Sequence, residues 1–433
     1  MNKVLESLIQ IVKEDSNEAL GCTEPVAVAY CANVAGENID KDSIQKVDVV
    51  VSKNIFKNGK AVMIPNTGSF GLDLAAGVGI LAPKSDDAYM VFSQVDESIL
   101  EKAKKLMAEG KINVSYKKDL PDIYVEITAT SNDDSITAVI TGSHTHISKI
   151  IKNGKVILEI EYKKEKSSDD FDIKKLSFEE IRKLIDQTNA KEFFFTLTGI
   201  DVNKKASEEG LKGTSSNLGK TLNELKQKGI LTDSAVTDAR IYTAAAADMR
   251  MSGGKCPIVT SGGSGNQGIG VILPIAIVAE NEGISRDDLA KSLFYAHLIN
   301  RYVKEYSGKL SGICGCAIGA AIGATAGITW MLGGTDEQIS GACSNIYANL
   351  TGVICDGAKE SCSMKLSTTA AESVVAAYLS LNGVISKANV GVLGNTIEQT
   401  IANIGKLSHE AFSEVDDVML DIIENRKIKV LCQ

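Results

Sequence analysis

Proline and aromatic residues are scarce in this chain of 433 residues, which has six prolines, one tryptophan and 5% aromatic content. Aliphatic residues and alanine dominate instead, with 38 glycines. That mix suits close-packed helices more than a β-sandwich or barrel. Positive charge is also in deficit. The formal net charge is −9 and no long basic run occurs, which argues against a nucleic-acid surface. The N-terminal stretch MNKVLESLIQIVKEDSNEALGC is an amphipathic helix broken by charges. It lacks the uninterrupted apolar core and cleavage site of a signal peptide, so a cytoplasmic location is expected. The nine cysteines then stay reduced, which disfavours disulfides and leaves metal binding, catalysis or plain burial.

One stretch invites a membrane reading. SGICGCAIGAAIGATAGITWMLGG, residues 311–334, carries no charge and is long enough to cross a bilayer. Within it Gly315, Gly319, Gly323 and Gly327 recur every four residues, a stripe that lets another helix approach closely. No second span, positive-inside loop or aromatic belt accompanies it. It therefore reads as a buried central helix, and no membrane partner is expected.

The length allows two or three domains. The pattern predicts an α+β fold, with a mixed part over residues 1–165 and a mainly helical domain over 175–433. Helical periodicity marks residues 3–14 through Leu5, Leu8, Ile9 and Val12. A second helix starts at TEPVAVAYCANVAG, with Thr23 as cap, Pro25 in the first turn and Gly36 as stop. Strand-like runs follow: VDVVVS, AYMVFS, INVSY, IYVEITAT and SITAVIT. ISKIIKNGKVILEIEY reads as a hairpin about Asn153-Gly154. The charged KKEKSSDDFDIKK, residues 163–175, reads as the linker. The first 35 or so residues are expected to pack on the helical domain.

The cysteines fall into two groups. Cys31 and Cys343 sit in apolar helical patterns and read as core. Cys22 lies in the EALGCTEP loop and Cys256 in GKCPIVTSGGSGNQG. Cys314 and Cys316 open the glycine-striped helix, and Cys355 and Cys362 flank an Asp-Gly turn. Thiols at helix ends meet N–H groups that lower their pKa and can bond cluster sulfides. Paired CxxC knuckles of the usual zinc kind are missing. Dispersed spacing leans toward an iron–sulfur cluster, with simple burial the alternative for any one cysteine.

EALGCTEP, GKCPIVTSGGSGNQG, SGICGCAIGAAIGATAG and GVICDGAKESCSMK together resemble the L-cysteine desulfidase family, which is similar to the α-chain of oxygen-sensitive iron–sulfur L-serine dehydratases. The resemblance spans nearly the whole chain. It implies a [4Fe–4S] cluster, no pyridoxal phosphate, and breakdown of L-cysteine to pyruvate, ammonia and sulfide. It also implies Cys355 and Cys362 as cluster ligands, with the third from the CGC motif, Cys314 ahead of Cys316. Cys22 is carried over as a fourth ligand or a substrate-side thiol.

Elimination needs a base at the α-proton and a Lewis acid at the leaving sulfur. His144, in TGSHTHI, is the leading base candidate, and that sequence resembles one in the dehydratases. Lys255 follows it, and Lys359 is a further candidate over the cluster. His297 and His409 read as structural. The glycine-rich loop before IGVILPIAIVAE offers Ser264, Asn266 and nearby amides to a carboxylate. Walker and Rossmann spacings are missing. IPNTGSFG offers Asn66 and Thr67, or is an ordinary turn. The partner expected is a small amino acid, and the assembly considered is a homodimer. Three rival readings stand beside this one. They are a pyridoxal-phosphate lyase using Lys255, an iron–sulfur serine dehydratase, and a non-enzymatic iron–sulfur scaffold. The tail KIKVLCQ, with Cys432, is expected near the cluster pocket as a competitor of substrate.

Overall fold

The computed structural model describes residues 3–161, 171–308 and 310–424. A six-stranded sheet organises the first part, from β1 (Lys46–Ser52), β2 (Ile112–Lys117), β3 (Tyr124–Thr130), β4 (Ser135–Thr141), β5 (Ile147–Lys152) and β6 (Lys155–Glu159). The spatial order is β2-β1-β3-β4-β5-β6. Only β1 and β2 run parallel, and the Leu72–Leu81 and Glu97–Ala108 helices supply the crossover such a pair needs. Alternation decides which face is covered. Val47, Val49 and Val51 of β1 and Val125, Ile127 and Ala129 of β3 are buried, and they share one core with the Thr23–Gly36 and Leu72–Leu81 helices. Asn153 and Gly154 both take positive φ, as a two-residue hairpin turn requires.

AYMVFS is not a strand. Residues Ala88–Gln94 form a 3₁₀ turn. Asp87 accepts from Tyr89 N at its start, and Asp96 caps the helix that follows. These local side-chain bonds offer the backbone an alternative to a sheet ladder, while Val91 and Phe92 still reach the core.

The chain splits at Cys22. Leu5, Leu8, Ile9 and Val12 of the Lys3–Asp15 helix join Phe178, Tyr295 and Tyr302 in the helical part. The Thr23–Gly36 helix instead stays on the sheet, so the expectation for the first 35 residues holds only for the first helix. Between them Glu18–Ala19 pairs with Ile258–Val259, just ahead of the glycine-rich loop. Cys22, rather than Thr23, occupies the N-cap position of the second helix.

The helical part surrounds the Ala321–Met331 helix, buried along its length except at its last turn. Its glycines face the Arg286–Ser307 helix. A Cβ on Gly323 would lie 2.5 Å from Ala296 O, so only glycine permits this approach. The helix begins with a π turn, Cys316–Ala320, in which Ala321 N bonds Cys316 O. Such turns widen a helix locally and are frequent at functional sites. Among the described residues no helix is long and apolar enough to cross a membrane. The Phe412–Glu424 helix returns to the first part, where Leu420 joins the sheet core.

Candidate active site

A cavity of about 1600 Å³ lies where the two parts meet. Helix starts converge on it. Cys22 precedes Thr23–Gly36, Ser264 precedes Gly265–Glu282, Cys316 opens the π turn and Cys362 opens Cys362–Leu381; all four residues line the cavity. The first N–H groups of a helix have no partner within it, and the helix dipole adds partial positive charge there. These helix starts therefore offer donors to negative charge, in a cavity also lined by Asp15, Glu24, Asp172 and Glu305.

Two cysteine loops are held together by backbone bonds. Cys314 N donates to Val353 O at 2.8 Å, and Cys355 N donates to Gly312 O at 2.8 Å. This bridge sets Ile313 against Ile354 and brings Cys314 and Cys355 to the same wall. Gly357 then takes a φ of 93°, and a Cβ there would collide with Lys57 O. The turn leads to Cys362, whose thiol lies 3.7 Å from Gly357 O. Asp356 anchors this loop through ion pairs with Lys359 at 2.5 Å and Lys365 at 2.7 Å. Burial opposes its ionisation, but the two lysines outweigh that and hold its carboxyl at about 2.

The thiols differ in acidity. The Cys316 thiol bonds Cys314; with burial opposing, the Lys365 charge and the N–H groups of Cys316 and Ala317 help bring Cys314 down to about 6. Cys316 moves upward because it holds its proton in that bond and is buried beside other thiols. Burial pushes Cys355 up to about 11 despite Lys57, and raises Cys362 against the Lys359 N–H. Cys22 is pushed up to about 12 by burial, against the pull of Arg250.

Arg250 was not visible as a site residue in the sequence, where ADMRM reads as the end of an ordinary helix. Its side chain is 3% exposed and lines the cavity. It donates through Nη1 to Asn266 Oδ1 at 2.7 Å and through Nη2 to Gly21 O at 2.8 Å. Glu24 is also buried in the lining, accepting from Asn58 Nδ2 at 3.0 Å and from the Thr23 hydroxyl at 3.1 Å. Its place in EALGCTEP, as the second residue of the Thr23–Gly36 helix, was the available signal. Lys304 crosses the glycine-rich loop to Gly262 O at 2.5 Å.

The structure brings His144, Cys22, Ser264, Asn266, Cys314, Cys355 and Cys362 to this one cavity. Cys316 and His146 line it too. The 142–146 loop arrives from the end of β4, tied by Gly142 N to Ile123 O at 3.3 Å. Lys255 is exposed and is not part of the lining. Asn66 and Thr67 also lie outside it. Asn66 takes positive φ and bonds Phe92 O, and the Thr67 hydroxyl bonds Ile64 O, so both hold a turn. His297 is buried against Ser261, and Cys31 and Cys343 are fully buried. Cys432 lies outside the described residues.

The donor set suits an iron–sulfur cluster. Cys314, Cys355 and Cys362 share the cavity with Cys316, and each of the three meets a backbone N–H. Among the described residues no three His, Cys, Asp or Glu side chains converge closely enough to hold a single metal ion.

The model of the family described as serine dehydratase alpha chain matches residues 90–421. A protein of Clostridium botulinum (strain Loch Maree / Type A3), named UPF0597 protein, is 47% identical over 417 residues, 96% of each chain. A UPF0597 protein of Alkaliphilus oremlandii is 38% identical over 96% of this chain and 97% of its own. One from Bacteroides fragilis (strain YCH46) is 35% identical over 97% of this chain and 98% of its own.

Proposed function

The chain belongs to the serine dehydratase alpha chain family, and from that premise we propose that it is an iron–sulfur lyase removing the β-substituent of a small L-amino acid, L-cysteine foremost. The observation that carries this is the meeting of Cys314, Cys355 and Cys362 with buried Arg250 on one cavity. The net reaction takes L-cysteine and water to pyruvate, ammonia and hydrogen sulfide.

In this reading Cys314, Cys355 and Cys362 hold the cluster, with Cys316 as the neighbour that tunes Cys314. When bound, the cluster supplies a Lewis-acidic iron that favours departure of the β-thiolate. The chain's own groups do the rest. Ser264, Asn266 and the amides opening the Gly265–Glu282 helix receive the α-carboxylate. His144 takes the proton from Cα, since it lines the cavity from the opposite part of the fold. Cys22 borders the reacting carbon. The cavity walls limit water until the aminoacrylate product leaves and hydrolyses.

The family description favours L-serine as the competing substrate, whereas the Cys355–Cys362 motif resembles the desulfidases. Lys255, exposed outside the cavity, gives the pyridoxal-phosphate reading no support. The deciding experiment is an anaerobic assay of pyruvate and sulfide from L-cysteine and of pyruvate from L-serine. Equal pyruvate and sulfide from L-cysteine, at higher kcat/KM than L-serine, is the expected result. Turnover of L-serine alone would restrict the reading to a dehydratase, and turnover of neither would overturn it.

A further inference from the structure

Arg250 Nε and Asn58 Oδ1 are buried and have no hydrogen-bond partner among the described residues. Both side chains line the cavity, at 3% and 6% exposure. Orphaned buried groups are rare in folded proteins and call for an explanation. Their chemistry is complementary, because one is a donor on a permanent cation and the other a carbonyl acceptor.

Neither orientation is arbitrary. Arg250 is pinned through its two terminal nitrogens to Asn266 and Gly21, and Gly265 lies flat against the guanidinium, where a Cβ would stand 2.5 Å from Cζ. Nε is the guanidinium nitrogen that neither bond uses, and the Cys22 thiol lies beside the same guanidinium. The amide of Asn58 is oriented by Glu24. A carboxylate only accepts, so Nδ2 must face it and Oδ1 must face away. The short Gly21–Glu24 segment, with Cys22 inside it, carries both sets of contacts.

The geometry points to a divided site for the zwitterionic head of a free α-amino acid. Arg250 Nε and the Gly265–Glu282 helix start take the carboxylate, and Asn58 Oδ1 with the Glu24 carboxylate takes the ammonium. Both orphaned atoms are shielded from solvent on residues that line the cavity. The site therefore rejects peptides, N-acylated amino acids and esters. The identity of the amino acid rests on the lyase reading; the recognition of its head group does not.

The test is calorimetric binding to anaerobically purified protein. The probes are L-cysteine, 3-mercaptopropionate, which lacks the ammonium, and cysteamine, which lacks the carboxylate. Arg250→Gln should weaken L-cysteine and 3-mercaptopropionate by at least about tenfold, as for a lost bond to a charged group, and leave cysteamine within about twofold. Asn58→Leu should do the converse. The wild-type protein supplies a control independent of variant folding, since N-acetyl-L-cysteine and L-cysteine methyl ester should each bind at least about tenfold more weakly than L-cysteine. Blocked analogues binding as well as L-cysteine, or variants weakening all probes alike, would overturn the site. If L-cysteine binds by this pattern yet yields no pyruvate, the lyase reading fails and the head-group site stands. If pyruvate forms while blocked analogues bind equally, the converse holds.

Discussion

Lys57 and Asp416, 359 positions apart, form an ion pair of 2.5 Å with side chains 1% and 6% exposed. The pair lies behind the cysteine wall. Lys57 Nζ also reaches Ser311 O at 3.5 Å, its carbonyl packs on Gly357, and its charge faces Cys355. It joins the Lys53–Gly59 helix, both cysteine loops and the Phe412–Glu424 helix.

Removing one partner leaves a buried charge uncompensated. Asp416→Ala is expected to cost about 3–5 kcal/mol of unfolding free energy. Urea denaturation of anaerobic protein measures it, and iron content should fall in the same preparation. A midpoint equal to that of the unaltered protein would show that the pair is not structurally required.

His297 gives a pH dependence. Burial lowers it from 6.5 to about 4. The unfolded chain then binds the extra proton between those values, so stability falls as pH drops through this window. At 1.36 kcal/mol per unit the loss is about 3 kcal/mol by pH 4. His297→Gln should flatten the stability profile between pH 6.5 and pH 4 relative to the unaltered protein. An equally steep profile in the variant would assign the dependence to other groups.

The glycine stripe makes a steric prediction. Gly323→Ala sets a methyl 2.5 Å from Ala296 O, a backbone atom that cannot swing aside. Overpacking of this kind costs about 1–3 kcal/mol. Thermal unfolding should show a lower midpoint than for Gly352→Ala, because a Cβ at Gly352 meets nothing within 4 Å and its φ is not positive. A Gly323→Ala protein as stable as the parent would mean the helices separate without penalty.

Local signals carried much of the fold. Alternation marked four of the six strands of the sheet, and Asn153-Gly154 announced the hairpin of the other two because residues tolerant of positive φ serve there. Cys314, Cys355 and Cys362, which line the cavity, were legible as candidates through the resemblance of their motifs to the desulfidase family. Arg250 and Asn58 were not, since what defines them is the arrival of Gly21, Asn266 and Glu24 from distant sequence. The 88–94 run misled because capping by Asp87 outweighed its strand-like composition. Asn66 and Thr67 gave the composition of a polar loop, which a turn and a binding site share.

The central claim is that Cys314, Cys355 and Cys362 hold the group on which turnover depends. Its most direct test is anaerobic iron and sulfide analysis beside L-cysteine turnover, for the wild type and Cys355→Ala. A wild type carrying about four irons per chain and releasing sulfide, with both properties lost together in Cys355→Ala, is the predicted result. Full turnover by iron-free protein, or by Cys355→Ala, would contradict it.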